Sequence, residues 1–274
     1  MADFLHLGPA RSASTWLAYV LSQHPEVHIP KSKDTEFFSH QYGRGEGWYR
    51  NFFSGAKENS KRGEICHRYF WHPLAPSRAQ KFNSNFQILI NARDPWDRLL
   101  SAYHYDRTLY LKKETPLMEY LKMPVVRETV DYVSNIRRWL DHFPEDQIHI
   151  SFFEELKVDP QLWLNQVWSH LGVGHYWDPS FDEHIWEART GRSETISHFA
   201  FAVSQLLRSF GYYNLVGTVK TKSLVQNVLY QKGHHGPVIE AEDLKRAADI
   251  MSRHLQEWQD FKAEWKKKKA TKAA

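Results

Sequence analysis

The chain has 274 residues, of which 42% are hydrophobic and 25% charged, with a formal net charge of +4 at pH 7. This composition is typical of a globular protein, and no apolar run approaches the roughly 18 to 20 residues that cross a bilayer, so no membrane span is expected. A single cysteine, Cys66, excludes an internal disulfide and favours a reducing compartment.

The ends of the chain bear on its organisation and location. Lys266 to Lys269 contribute four of the positive charges, so we expect a single domain over residues 1–265 and a basic, disordered tail over residues 266–274. Without that tail the charge is close to neutral, which argues against nucleic acid as a partner. The first predicted strand begins three residues after Met1, leaving no room for a secretion signal, and a cytoplasmic location is expected.

The first predicted element is a short apolar strand from Phe4 that runs through a turn of small residues into a helix beginning near Ser14. Small residues let backbone N–H groups close around an anion, and the helix start adds the positive end of its dipole. Arg11 adds a full positive charge. This layout is typical of a phosphate-binding loop.

The loop differs from the nucleoside triphosphate loop G-x-x-x-x-G-K-[ST]. Gly8 and Thr15 match its first and last positions, but Ala13 stands at its second glycine and Ser14 at its lysine. A metal-dependent NTPase is therefore disfavoured. A nucleotide or small-molecule kinase stays open as an alternative, because it would share the strand, loop and helix.

A second polar segment follows the apolar run 86–90. Pro95 suits the first position of a helix with Asp94 as its N-cap, which leaves Arg93 at the carboxyl edge of the predicted sheet. Open α/β folds bind ligands at this edge. Arg98 and Ser101 are three residues apart and therefore lie on one face of that helix.

Together the two segments resemble those of sulfotransferases that use 3′-phosphoadenosine-5′-phosphosulfate (PAPS). The run Arg11-Ser-Ala-Ser-Thr-Trp16 is similar to the family's Lys/Arg-Ser-Gly-Thr-Thr-Trp, and the second segment matches all six specified positions of R-D-P-x-x-R-x-x-S-x-Y. The resemblance extends over residues 4–172. It implies that the 3′-phosphate binds to Arg93 and Ser101, and that the 5′-phosphosulfate loop consists of Arg11, Ser12, Ala13, Ser14, Thr15 and Trp16. Trp16 could equally be a core residue, and Arg98 is expected to pair with a carboxylate.

A segment between the two loops resembles the acceptor side of carbohydrate-type sulfotransferases, written H-P-x5-P-K-K-E-P-H-F-F. Lys33 aligns with a lysine of that pattern, Asp34 with the glutamate that acts as general base, and Glu36 with the neighbouring histidine. Lys33 and Arg11 would meet the charge on the departing phosphate. Asp34 is one methylene shorter than glutamate, so the base could be Asp34, Glu36 or a residue elsewhere.

Two further segments resemble the family only in part. Glu64 and Tyr69 keep the pattern Gly-Glu-x-Ser-Pro-x-Tyr, but Cys66 and His67 replace its Ser-Pro pair, and His67 could be a base or a packing residue. Near the C-terminus, Lys232 and Gly233 match the segment that closes over the 3′-phosphate. A flexible polar loop without a ligand would look the same.

These observations predict an α/β domain with a central parallel β-sheet flanked by helices. The resemblance implies a PAPS-dependent sulfotransferase that needs no metal. It would transfer a sulfuryl group in line to a hydroxyl, or as the second choice to an amine, and release 3′-phosphoadenosine-5′-phosphate (PAP). A small molecule, saccharide or natural product is the expected acceptor. The alternatives to this function are a kinase and a nucleotide-binding protein without catalytic activity.

Overall fold

The computed structural model describes residues 2–109, 111–112, 114–184, 189–191, 194–213, 215–216, 219, 230–232 and 238–273. Its main sheet has five parallel strands in the order β2-β3-β1-β4-β5. The strands are β1 (Phe4–His6), β2 (Val27–His28), β3 (Lys61–Ile65), β4 (Gln87–Ala92) and β5 (Ile148–Phe152). The predicted α/β class with a central parallel sheet is confirmed.

Helices connect the strands and cover both faces of the sheet, as parallel strands require. They are α1 (Ser14–Gln23), α2 (Gly45–Arg50), α3 (Ala75–Phe82), α4 (Pro95–Leu109), α5 (Leu117–Tyr120), α6 (Pro124–Val130), α7 (Tyr132–Leu140), α8 (Phe153–Val158), α9 (Pro160–Leu171), α10 (Ser180–His184), α11 (Glu194–Ser209) and α12 (Ala241–Ala273). An antiparallel pair, β6 (Arg189–Gly191) and β7 (Tyr230–Lys232), lies outside the main sheet.

Successive residues of the strands enter two different hydrophobic cores, because side chains alternate across a sheet. Phe4 packs with α1 and α9 on one face, whereas Leu5 packs with α7 and α12 on the other. The contact between β1 and β3 is tight: a Cβ atom at Gly63 would lie 2.1 Å from Cζ of Phe4. This packing fixes β1, the strand that leads into the first loop.

The C-terminal residues differ from the prediction of a disordered tail. Residues 266–273 are the last turns of α12, whose Trp258 is fully buried against the sheet. Lys266 forms an ion pair with Glu155, and Lys268 with Glu145. The lysine run is helical because apolar residues one and two turns before it anchor the helix. Among the described helices, none combines the length and apolarity that a bilayer span requires.

Candidate active site

The first loop leaves the central strand at its carboxyl end and enters α1. Arg11 and Ala13 adopt left-handed backbone conformations, with φ of 73° and 62°, and Ser14 begins the helix. Such alternation turns successive N–H groups toward one side and forms an anion-binding concavity. The loop sits close against β4, since a Cβ atom at Gly8 would lie 2.8 Å from the carbonyl oxygen of Asn91. The strand, turn and helix start that the sequence predicts for this loop are present.

The second loop meets the first at the same edge of the sheet. Oδ1 of Asp94 accepts hydrogen bonds from the amides of Trp96 (3.0 Å) and Asp97 (3.1 Å), which confirms the predicted N-cap of α4. Arg93 donates from Nη1 to the carbonyl oxygen of Arg11 at 3.3 Å. Its guanidinium lies 4.9 Å above the ring of Phe153. Arg93 is thus held against the phosphate loop.

Ser101 completes this donor-side cluster from the second turn of α4. Nε of Arg11 donates to Oγ of Ser101 at 3.3 Å, and the Arg11 guanidinium also lies 4.4 Å from the centre of the Tyr105 ring. Nε of Arg93 is buried and has no hydrogen-bond partner among the described residues. Two guanidinium groups and a hydroxyl therefore converge beside a helix N-terminus, a donor set that suits phosphate groups.

Lys33 reaches the phosphate loop from the acceptor-side segment. Its Nζ lies 3.4 Å from Oγ of Ser14 and 3.4 Å from Oγ1 of Thr15. Burial lowers the pKa of the Lys33 ammonium, and the neighbouring Asp34 carboxylate acts in the opposite direction. The loop has no lysine of its own at position 14, so Lys33 supplies an ammonium group above its hydroxyls.

Asp34 faces His67 across the end of β3. Its Oδ1 lies 2.7 Å from Nδ1 of the imidazole and accepts a second hydrogen bond, of 3.2 Å, from the His67 amide. Burial alone would raise the pKa of the Asp34 carboxyl, but the charge and hydrogen bonds of His67, with Lys33 adding to them, hold that pKa well below its usual range. Asp34 is therefore an ionised partner of the imidazole.

Glu36 has different partners. Its carboxylate pairs with Nε of Arg68 at 2.8 Å and lies 3.5 Å from Nδ1 of His40. The side chain is only one-fifth exposed. Glu36 and Asp34 both adopt left-handed backbone conformations, with φ of 59° and 58°, on either side of Thr35.

Thr35 is fully buried and fixes this loop to a buried carboxylate. Oε1 of Glu64 accepts from the Thr35 amide at 3.0 Å and from the Thr35 hydroxyl, while Oε2 accepts from the Tyr69 hydroxyl at 3.1 Å. Burial raises the pKa of Glu64 to about 7, although the hydrogen bonds from Thr35 and Tyr69 oppose the shift. Sequence reasoning missed Thr35; the retained Glu64 and Tyr69 were the only signal that could have pointed to this anchor.

Residues 2–202 match the family model described as a sulfotransferase domain. The chain belongs to this family. It is 28% identical over 213 residues to bifunctional heparan sulfate N-deacetylase/N-sulfotransferase 3 of Homo sapiens, covering 67% of this chain and 24% of that protein. It is 27% identical over 148 residues to the membrane-associated sulfotransferase kil1 of Dictyostelium discoideum, covering 53% of this chain and 31% of that protein.

Solved sulfotransferases share the fold. The sulfotransferase from Alicyclobacillus acidocaldarius superposes with a TM-score of 0.56 at 26% identity, covering 68% of this chain and 90% of its own. The sulfotransferase domain from the curacin biosynthetic pathway gives a TM-score of 0.53 at 14% identity over 92% of this chain and 97% of its own, a likeness of fold alone. The curated relatives above are much longer proteins, and the chain spans less than a third of each.

Not every residue predicted for the sulfotransferase site reaches it. Trp16 is 5% exposed, packs 5.9 Å from the ring of Trp163, and donates from Nε1 to the carbonyl oxygen of Phe181 at 3.1 Å. It is a core residue, because the first turn of α1 turns this side chain toward α9. The ring is therefore not available to stack on adenine.

Arg98 also differs from its prediction. It is buried, forms no ion pair with a carboxylate within the described part of the chain, and lies 6.0 Å from the centre of the Tyr132 ring. Lys232 lies in β7, where its register partner is Arg189. Gly233 lies outside the described residues.

Proposed function

We propose that this sulfotransferase-family chain transfers a sulfuryl group from PAPS to an acceptor hydroxyl and releases PAP. An amine is the second choice of acceptor group. One observation carries the proposal: Arg11, Arg93 and Ser101 lie together at the carboxyl edge of the sheet, with the Lys33 ammonium above the adjoining loop. These are the chain's candidates for binding a nucleotide with phosphate groups at two positions.

The donor site divides into two parts. Arg93 and Ser101 hold the 3′-phosphate, a role favoured by the unsatisfied Nε of Arg93 and by the bidentate geometry that a guanidinium offers to phosphate. The loop formed by Arg11, Ser12, Ala13, Ser14 and Thr15 holds the 5′-phosphosulfate through backbone N–H groups at the start of α1. Lys232 and Gly233 remain predicted contacts of the 3′-phosphate.

Lys33 and Arg11 assist departure of the phosphate. When bound, PAPS supplies an activated sulfuryl group whose leaving group is a phosphate, on which negative charge accumulates in the transition state. The Lys33 ammonium, 3.4 Å from two hydroxyls of the loop, and the Arg11 guanidinium are fixed cations at that place. Such preorganised charge stabilises the transition state more than the ground state.

The acceptor side carries the proton-abstracting group, for which Asp34 and Glu36 are the predicted candidates. Glu36 is held by Arg68 at 2.8 Å, which favours a structural role for it. For the acceptor we propose a saccharide or a small natural product, because the Lys33 to Phe38 segment resembles carbohydrate-type enzymes and a relative is named for heparan sulfate. The cytoplasmic location stays a prediction, supported by the single buried cysteine.

A kinase would need a lysine at position 14, where this chain has Ser14, and it would require Mg²⁺ with ATP. A thermal-shift titration therefore compares PAP in EDTA with ATP plus Mg²⁺. At about 100 times its Kd, PAP should stabilise the protein by roughly 2.7 kcal/mol. A shift only with ATP and Mg²⁺ would overturn the proposal in favour of a kinase.

Turnover separates an enzyme from a silent nucleotide-binding protein. Release of PAP from PAPS is followed with completely desulfated heparin, which offers both hydroxyls and amines, and with 4-nitrophenol. We expect acceptor-dependent PAP release in the presence of EDTA. Binding of PAP without release from PAPS under any acceptor would favour the silent binder.

A further inference from the structure

A cluster of metal-ligating side chains lies where α12 crosses the junction of α6 and α7. Asp131 is the single residue between α6 and α7, and His254 and Glu257 are three residues apart on one face of α12. One ligand atom from each of the three side chains lies within 4.8 Å of the other two. The proposed sulfuryl transfer uses none of these side chains.

The backbone around this cluster is held by buried neighbours. Val130 and Tyr132 flank Asp131 in the chain and are buried, and Trp258, which follows Glu257, is fully buried. The rings of Tyr132 and Trp258 meet with their centroids 5.3 Å apart. Core packing therefore fixes the positions from which the three side chains project, as a preformed site requires.

Both carboxylates of the cluster use one oxygen in a local contact. Oδ1 of Asp131 caps α7 by accepting from the Ser134 amide at 3.3 Å. Oε1 of Glu257 pairs with Nε of Arg253 at 2.8 Å, whereas Oε2 lies on the side of His254. The second oxygen of each carboxylate can therefore serve as a cation ligand without breaking either contact.

Nδ1 of His254 is a polar atom whose burial the described residues do not explain. It has no exposed surface and no hydrogen-bond partner within the described part of the chain. Oε2 of Glu257 is 3.8 Å away, which is too long for a hydrogen bond. Buried polar atoms normally have a protein, water or ion partner. A cation between this nitrogen and the carboxylate oxygens would be such a partner.

The donor set suits Zn²⁺. Zinc binds imidazole nitrogen and carboxylate oxygen at about 2.0–2.2 Å, so two ligands of a tetrahedral site lie roughly 3.4 Å apart. The 3.8 Å between Nδ1 of His254 and Oε2 of Glu257 is only slightly wider. Ca²⁺ and Mg²⁺ prefer sites made of oxygen alone, and the imidazole therefore selects against them.

We propose that Asp131, His254 and Glu257 bind one Zn²⁺ ion, with water as the fourth ligand, and that the ion clamps α12 to the start of α7. The two carboxylates outweigh the single guanidinium of Arg253, so the cluster attracts a dication. The His254 side chain is 31% exposed, which gives the ion a path from solvent. This site is independent of the proposed transfer reaction.

Calorimetric titration of the full chain with ZnCl₂, after removal of metal with EDTA, tests the proposal. We expect one saturable site per chain, and His254→Gln should weaken zinc binding about 10-fold or more. Asp131→Asn should also weaken it, and asparagine is chosen because it keeps the N-cap of α7. The matched control is Glu264→Gln, at an exposed glutamate of α12, which should bind zinc as the wild type does.

Arg253→Gln should change zinc affinity in the opposite direction. The Arg253 guanidinium occupies Oε1 of Glu257 and repels a cation in the cluster. Its removal should tighten zinc binding about two- to fivefold, because an exposed charge pair has a modest free energy. Weaker binding in Arg253→Gln would contradict the assignment of Glu257 as a ligand.

Co²⁺ in place of Zn²⁺ reports the ligands directly, because its visible absorption depends on ligand number and geometry. Titration with CoCl₂ should produce an absorption band in the wild type that Zn²⁺ displaces and that His254→Gln lacks. Absence of saturable zinc binding in the wild type, or wild-type affinity in His254→Gln, would overturn the proposal. PAP binding is measured in EDTA, so either result leaves the sulfotransferase function to its own test.

Discussion

The donor side and the acceptor side of this site are held in place by different means. On the donor side, two loops end at helix N-termini, and short-range features fix them: positive φ at Arg11 and Ala13, and the Asp94 N-cap. On the acceptor side, a loop without secondary structure is fixed by a buried carboxylate 29 residues further along the chain. Local geometry thus builds the proposed phosphate site, whereas long-range packing builds the proposed acceptor side.

The two sides therefore depend on different kinds of interaction. A helix start and a nest of N–H groups bind a phosphate through the backbone, so the donor side depends mainly on the conformation of its loop. The acceptor side depends instead on contacts between side chains, in which Asp34 pairs with His67 and Glu64 anchors Thr35. Substrate specificity is expected to reside on this side.

The largest expected effect tests the link between the two sides. Lys33→Ala should lower kcat for PAP release by about 10²–10³, because it removes a fixed cation at the leaving group, while the Kd for PAP changes much less. The matched control is Lys31→Ala, an exposed lysine two residues earlier in the same segment. Steady-state kinetics with calorimetric PAP binding measures both quantities. Equal kcat for the two variants would contradict the role of Lys33.

The next effect concerns the acceptor-side anchor. The pKa of Glu64 is about 7 in the folded chain, against a reference value of 4.5. The folded state therefore binds the proton more tightly than the unfolded state, and this group's contribution to stability falls as pH rises from about 4.5 to about 7. The shift corresponds to about 3 kcal/mol.

Glu64→Gln removes that dependence. In urea unfolding, the free energy of unfolding of the wild type should fall between pH 5 and pH 7.5. The same fall should be smaller in the variant. Glu58→Gln, at an exposed glutamate, should leave the wild-type difference unchanged. An unaltered pH dependence in Glu64→Gln would show that the carboxyl titrates as it does in water.

The smallest effect concerns the donor-side loop. Ala13 has φ of 62°, a conformation that costs a non-glycine residue on the order of 1 kcal/mol, and glycine occupies this position in the resembling motif. Ala13→Gly should raise the free energy of unfolding by up to about 1 kcal/mol, after allowance for the greater freedom of the unfolded chain. Ala18→Gly, inside α1, should lower it by about 1 kcal/mol. The same sign for both variants in urea unfolding would contradict the backbone assignment.

The donor side was predictable from the sequence because its signals are local. The start of α1 near Ser14, the N-cap at Asp94 and the placing of Arg93 at the sheet edge each follow from a few neighbouring residues, and the parallel sheet follows from apolar runs between helices. The sulfotransferase family was recognisable from the same segments.

The acceptor side was less predictable because its contacts join distant residues. Pairing of Asp34 with His67, and burial of Thr35 on Glu64, depend on how β3 lies beside the loop, which no local pattern encodes. The helical end of α12 was missed for a related reason, since its lysines follow Trp258 and Trp265, whose burial depends on the tertiary fold. Trp16 was ambiguous because a large aromatic side chain suits a core and a nucleotide equally well.

The central claim is that this chain binds a nucleotide through its 3′-phosphate as well as its 5′ end. Calorimetry in EDTA with PAP and with 5′-AMP tests it most directly, because the two ligands differ only in the 3′-phosphate. We expect PAP to bind about 10 to 100 times more tightly, as charge-assisted hydrogen bonds worth roughly 1.5–3 kcal/mol imply. Arg93→Ala should remove this preference and Arg127→Ala, at an exposed arginine of α6, should keep it. Equal affinity of the wild-type chain for PAP and AMP would contradict the account.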